Sequence, residues 1–186
     1  MMLKTLAAAL SVVFGLSACS TPTTFVQVPP APVTERVTIA FPSVEVRAVS
    51  LPTYAASEEI YGQGADGVLA SATSARWADV PERAITLELS RNLAELTGAR
   101  VAPEPWPFDA RPAATVDVRF EDLLAGANGV FRTSGQYFVS SESGRERSGL
   151  FRLDVPYDVA AGPDAIAQAR ARAILDLATL IARKAL

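Results

Sequence analysis

Few side chains here can do covalent chemistry. The chain has one cysteine, Cys19, and no histidine. Lys4 and Lys184 are its only lysines. Without histidine there is no Ser-His-Asp or Cys-His nucleophile system and no histidine zinc site. Lys184 sits in the last turn of an expected terminal helix, a poor position for a catalytic base. Carboxylate pairs remain arithmetically available, but no pattern singles one out. Gly62-Gln63-Gly64-Ala65-Asp66-Gly67 matches the dinucleotide fingerprint letter for letter. That fingerprint needs a helix opening at the glycines. The next residues, Val68 to Ser74, are serine-rich with no helical stripe, so the glycines read as a turn. The chain is expected to be no enzyme, with no catalytic residue, no metal and no cofactor.

The setting of Cys19 is more informative. It ends the run Leu16-Ser17-Ala18-Cys19, preceded by Lys4 and an apolar stretch from Leu6 to Phe14. A basic start, an apolar run and a small-residue site make up a secretory signal. The stretch is too short to cross a bilayer, which takes about 20 residues. The order Leu-Ser-Ala-Cys resembles the bacterial lipobox, whose cysteine is lipidated and then heads the mature chain. This gives a signal peptide over 1–18 and lipid attachment at Cys19. Ser20 comes next, where an aspartate would favour retention in the inner membrane of enteric bacteria, so the address points outward. One acyl chain binds a membrane reversibly, and two or three hold a protein there for good.

Removing the signal leaves 16 basic and 20 acidic residues, a net charge of −4. That argues against nucleic acid, which needs a basic face. A single cysteine excludes an internal disulfide. The mature length suits one domain with its own core.

Positioning anything functional falls to the elements downstream. Residues 19–35 carry Pro22, Pro29, Pro30 and Pro32 and read as an extended tether. Within it, Phe25 to Val28 reads equally as a short strand returning to the sheet. The domain is expected over 36–186. Val44, Val46 and Ala48 alternate with polar residues, as in a half-buried strand. Glu58 to Tyr61 and Val68 to Arg76 form a hairpin around the glycines. Pro81 to Thr97 is an amphipathic helix with Ile85, Leu89, Leu93 and Leu96 on one stripe. Asp79 and Glu82 suggest its capping box, and Gly98 its end. After a proline-broken loop (Pro103, Pro105, Pro107, Pro112) comes an antiparallel meander. Its strands centre on Val116 to Phe120, Val130 to Ser140 and Phe151 to Tyr157, each with one wet face. Asp117/Arg119 and Arg152/Asp154 read most simply as cross-strand partners on a solvated face, with a subunit interface as the alternative. A helix over 163–185 closes the chain, with Ile166, Ala169, Ala173, Leu177 and Leu180 inward. Strands, helix, strands, helix read as one α/β or α+β sandwich; the expectation taken forward is a single α/β sandwich domain with a mixed or antiparallel sheet and two main helices. Trp77 is expected to be buried. Trp106 and Phe108, among prolines in a surface loop, are the candidate partner interface.

Taken together, these pieces resemble the ABC-type transport auxiliary lipoproteins, the group that includes paraquat-inducible protein C and the DUF330 proteins. The features that carry the likeness are Cys19, the strand leading into Leu51-Pro52-Thr53-Tyr54 and the Ile60-Tyr61 hairpin. They continue with Arg76-Trp77-Ala78-Asp79-Val80-Pro81 opening onto the helix of Leu89 and Leu93, the Val116–Phe120 strand and the alanine-rich last helix. The family usually has an aromatic-rich strand soon after the lipidated cysteine, where this chain has only Phe25-Val26-Gln27-Val28. The resemblance implies a three-layer α/β domain on the inner leaflet of the outer membrane, facing the periplasm. It implies partners among periplasmic MCE-domain proteins and inner-membrane transporter components, in lipid movement between membranes, with a homo-oligomeric ring among its forms. A lipid-binding carrier lipoprotein and an envelope assembly factor are the alternative readings.

Overall fold

The computed structural model describes residues 23–186. Leu16, Ser17, Ala18 and Cys19 lie outside the described residues. The strands in chain order are β1 (Phe25–Val26), β2 (Ser43–Val46), β3 (Glu59–Gln63), β4 (Leu69–Trp77), β5 (Arg100–Pro103), β6 (Ala114–Gly126), β7 (Val130–Ser141) and β8 (Arg147–Pro156). The helices are α1 (Pro81–Thr97), between β4 and β5, and α2 (Pro163–Lys184), at the end. The α/β class, the mixed sheet and the two main helices are as the sequence led us to expect.

The long strand β6 organises the sheet. One edge pairs along its length with β7, and β7 pairs with β8, both antiparallel. Its other edge is shared end to end. Parallel β2 takes the start, with Val44 opposite Ala114, and parallel β3 takes the finish, with Gly62 opposite Ala125. Beyond β3 lie β4 and then β1, while β5 flanks β2. The β6–β7 register shifts between Phe120 and Asp122. Gly135 sits opposite Phe120, where an added Cβ would lie 2.1 Å from the Arg119 carbonyl oxygen, so the irregularity there requires glycine.

Alternation decides which face is covered. Val116, Val118, Phe131, Tyr137, Val139 and Phe151 are buried, while Arg119 and Glu121, Arg152 and Leu150 face outward. The helices pack against one another on the buried face. Val44, Val46, Leu89, Leu93, Ile174 and Leu177 are all fully buried in the core between them. At about 1.5–3 kcal/mol per buried aliphatic side chain, this interface supplies most of the drive to fold.

The extended segment after β1 forms the remaining cover. Val28, Ala31, Val33, Val37 and Ile39 pack against the core. The Val37 N–H donates to the Leu96 carbonyl at the end of α1, and the Ala40 N–H to that of Leu186, just past α2. Arg183 pairs with Glu35, and Arg36 donates to the Glu95 carbonyl. The layers are therefore sheet, paired helices and extended chain, with the other side of the β6–β8 meander facing outward. Of the alternatives for Phe25 to Val28, the strand returning to the sheet is the one formed, and Ala31 and Val33, expected in the tether, pack against the core. Alternate apolar residues between the prolines give the segment a sticky side.

Smaller differences have local causes. Asp79 does not cap α1: Val80 occupies the cap position with no side-chain bond, and Asp79 pairs instead with Arg83. Pro81, at the first helical position, puts Asp79 one residue too early. Gly98 ends α1 at φ 69°, its N–H bonded to Ala94. Strand β5 lies in what reads as a proline-broken loop; four residues ending in Pro103 leave no room for a legible alternation. Asp117–Arg119 and Arg152–Asp154 are ion pairs along single strands, at 3.1 and 3.7 Å. Across the sheet Arg119 faces Gln136 and Arg152 faces Ser134.

Candidate functional site

The loop after β5 brings the two expected interface residues together. Trp106 and Phe108 meet edge to face with ring centroids 5.0 Å apart, a favoured aromatic geometry. The Trp106 indole N–H donates to the Ala110 carbonyl at 2.7 Å, which fixes the loop. The Arg100 guanidinium lies 5.1 Å from the Phe108 ring centroid, within cation–π range. Phe108 stays exposed. The pair is a rigid aromatic patch with a cation beside it, the kind of anchor interfaces favour.

A second constellation has no counterpart among the residues singled out from sequence. Where α1 meets α2 beside Trp77 at the end of β4, Arg170 of α2 is 1 % exposed and Glu88 of α1 is 4 % exposed. Their charged groups approach to 3.6 Å, an ion pair too long to be a hydrogen bond. The guanidinium lies 4.7 Å from the Trp77 ring centroid. Among the described residues Glu88 Oε1 and Arg170 Nε and Nη2 have no hydrogen-bond partner. One turn along α1, Asn92 is buried with both amide atoms unpaired. Burial pushes the Glu88 carboxyl up to about 7, with Arg170 and Arg91 holding it lower than burial alone would. Burial likewise lowers Arg170, against the pull of Glu88 and Asp79.

Both groups line a groove of about 440 Å³ walled by Val26, Val28, Ala84 and Leu87, with Arg91 also lining it. The groove exists because β1 returns the chain to the edge of β4 while α1 opens at Pro81. It can hold a polar group against a carboxyl and a guanidinium. It contains no hydroxyl or thiol nucleophile among the described residues. Among the described residues no three His, Cys, Asp or Glu side chains gather as a metal site. The sequence signal for the pair is faint: Glu88 and Arg170 are charged residues beside apolar stripes, and only the crossing of the two helices shows that both point inward.

The glycine run is a turn. The Gly67 N–H bonds to Gly64 and the Gly64 N–H to Val68, Gly67 takes φ 82°, and β4 comes next where a dinucleotide site needs a helix. Trp77 is buried, as expected.

Comparison with known proteins bears on the whole chain. The family model described as ABC-type transport auxiliary lipoprotein component matches residues 25–182. A crystal structure described only as an uncharacterized protein superposes with a TM-score of 0.70 at 19% identity, covering 86% of this chain and 96% of that one. A Xanthomonas campestris protein of the DUF330 family superposes with a TM-score of 0.63 at 18% identity, covering 86% and 93%. The PelC dodecamer from Paraburkholderia phytofirmans aligns with a TM-score of 0.46 at 11% identity, over 82% and 96%. No curated protein sequence matches.

Proposed function

We propose, because this chain belongs to the family of ABC-type transport auxiliary lipoprotein components, that it is the docking subunit of a lipid-transport system bridging the two membranes. In this reading it is non-enzymatic. Cys19, matured at the Leu16-Ser17-Ala18 site, holds it by lipid on the inner leaflet of the outer membrane. Its domain faces the periplasm and receives an MCE-domain protein connected to inner-membrane transporter components. The observation that carries the reading is the family match over 25–182, beginning six residues after a lipobox cysteine. The aromatic patch of Trp106 and Phe108 supports it by position. It comes after β5, level with the start of β6, whereas the chain arrives from Cys19 beside β4. The start of β6 and Ala125, where it pairs with β3, are roughly 35 Å apart at 3.3 Å per residue, so the patch lies toward the opposite end of the sheet from the β3–β4 hairpin beside which β1 enters.

The test is gentle crosslinking of the tagged full-length lipoprotein in its native host, with identification of the proteins that leave the membrane with it. An MCE-domain protein with transporter subunits is the expected result, and Trp106→Ala with Phe108→Ala is expected to lower its recovery severalfold. Recovery of lipid alone, or of an unrelated barrel protein, overturns the reading in favour of a carrier or an assembly factor. Cys19→Ala is expected to release the protein from the membrane fraction with its fold unchanged, as circular dichroism reads it.

A further inference from the structure

The hairpin of β3 and β4 runs out beyond the helices, and its outer part breaks the usual rule for exposed strands. Every residue from Gly64 to Ala72 is exposed. From Gly67 to Ala75 the sequence is Gly-Val-Leu-Ala-Ser-Ala-Thr-Ser-Ala, nine residues without a charge. Val68 is 58% exposed and Leu69 39%. A groove of about 370 Å³ runs from this arm to the start of α2, lined by Ala70, Ala72, Ala125, Val159 and Ile166 among others. Val159 is itself 53% exposed. A long uncharged edge strand invites aggregation unless something covers it.

The position of β1 says what does. β1 runs parallel to β4, with Phe25 opposite Arg76 and Val26 opposite Trp77, and the Arg76 N–H bonds to the Thr24 carbonyl. The chain therefore reaches β1 from the side on which the hairpin tip lies. From Thr24 back to Cys19 is five residues, at most about 17 Å of chain. From Ala75 to Leu69 along β4 is six residues, about 20 Å. The backbone of Cys19 therefore cannot pass the tip by more than a few ångströms, so an anchored domain holds its hairpin arm close to the bilayer. Phe25, 57% exposed, lies on the same approach.

We propose that Val68, Leu69 and Val159, with Phe25 behind them, form a surface that seats in the headgroup layer of the membrane carrying the lipid anchor. This rests on the lipid-anchor reading above. The nearby acids qualify the kind of lipid. Asp66 accepts from the Val68 N–H within the turn, and Asp158 from the Ala160 N–H, while Asp164 is exposed at the start of α2. Three carboxylates and no lysine or arginine among residues 64–72 and 158–166 suit a zwitterionic surface rather than an anionic one.

Lipidation consumes Cys19, so an introduced cysteine is the only free thiol. Full-length lipidated protein carrying Val68→Cys, Val159→Cys, Leu150→Cys or Phe108→Cys is labelled with an environment-sensitive fluorophore. It is then reconstituted in phosphatidylethanolamine–phosphatidylcholine vesicles containing doxyl-labelled lipid. Flotation reads the anchor, and quenching reads the surface. We expect loss of emission at 68 and 159 and none at 150 or 108. Protein that floats with label 68 unquenched overturns the membrane surface while sparing the anchor. A label 68 shielded from aqueous iodide yet unquenched by lipid overturns it in favour of a second copy on the β4 edge. Protein that fails to float overturns the anchor and this surface with it.

Discussion

Two regions of this domain break the apolar-inside, charged-outside rule in opposite directions. Under the helices, Arg170 and Glu88 are charged residues in the core. On the β3–β4 arm, apolar residues stand in the open. The buried pair is answered in charge by its own neighbours: each group has the other, and Arg170 has the face of Trp77, though Glu88 Oε1 and Arg170 Nε find no hydrogen bond among the described residues. The arm has no such internal partner, so its explanation has to come from what the domain sits against. A violation inside the fold is answered by the fold, and one on its surface by the surroundings.

Removing one partner of the buried pair should have the largest effect. Glu88→Leu leaves a guanidinium buried without a counter-charge, and arginine cannot shed its proton. A loss of about 3–5 kcal/mol is expected in urea unfolding at pH 5, where the parent's neutral Glu88 carboxyl oxygens still face that guanidinium, and a smaller one at pH 8, where the ionised carboxylate itself costs stability. Arg170→Met should cost less, because the carboxyl it leaves behind can take up a proton. The double variant Glu88→Leu with Arg170→Met should return close to the parent. A double variant as unstable as Glu88→Leu alone would show that the pair is not a self-contained unit.

Next in size is a dependence on pH. Burial raises Glu88 from the ordinary 4.5 to about 7 in the folded protein. The folded state therefore holds this proton more tightly than the unfolded one. Its contribution is complete below about 4.5 and is lost as pH rises to about 7, a fall on the order of 3 kcal/mol. Urea midpoints at pH 5 and pH 8 read it, and Glu88→Gln should remove the difference. A parent whose midpoint does not change would mean that Arg170 keeps the carboxylate charged throughout.

The smallest effect belongs to the arm. Val68→Ser with Leu69→Ser removes no buried contact, and stability should stay within about 0.5 kcal/mol. The same double change should reduce quenching of a label at residue 159 in vesicles. A large loss of stability would place the arm among the fold's own supports.

These regions also differ in how far they can be read from sequence. The meander is visible because its strands alternate over ten residues or more, and α1 because its leucines keep helical spacing up to Gly98. β5 is four residues long, and β1 only two; both are strands because a long partner lies beside them, which no local pattern reports. The Trp106–Phe108 patch is legible because aromatics between prolines have few ways to bury. The Glu88–Arg170 pair is not, since a charged residue next to an apolar stripe looks solvated until two helices cross. Residues 29–35 mislead most, because prolines signal a spacer while Ala31 and Val33 do the packing.

The shared edge of β6 has a consequence for how the chain comes together in time. β2 finds β5 more than fifty residues later, and its other neighbour, β6, seventy residues later. β1 waits some fifty residues for β4. The antiparallel pairs β3–β4, β6–β7 and β7–β8 join neighbours and close quickly, whereas parallel pairing across such separations is slow. A chain emerging amino-terminus first thus exposes its earliest strands longest. The prolines that frame β1 and β2, at positions 22, 29, 30, 32 and 42, discourage wrong strand pairing during that wait.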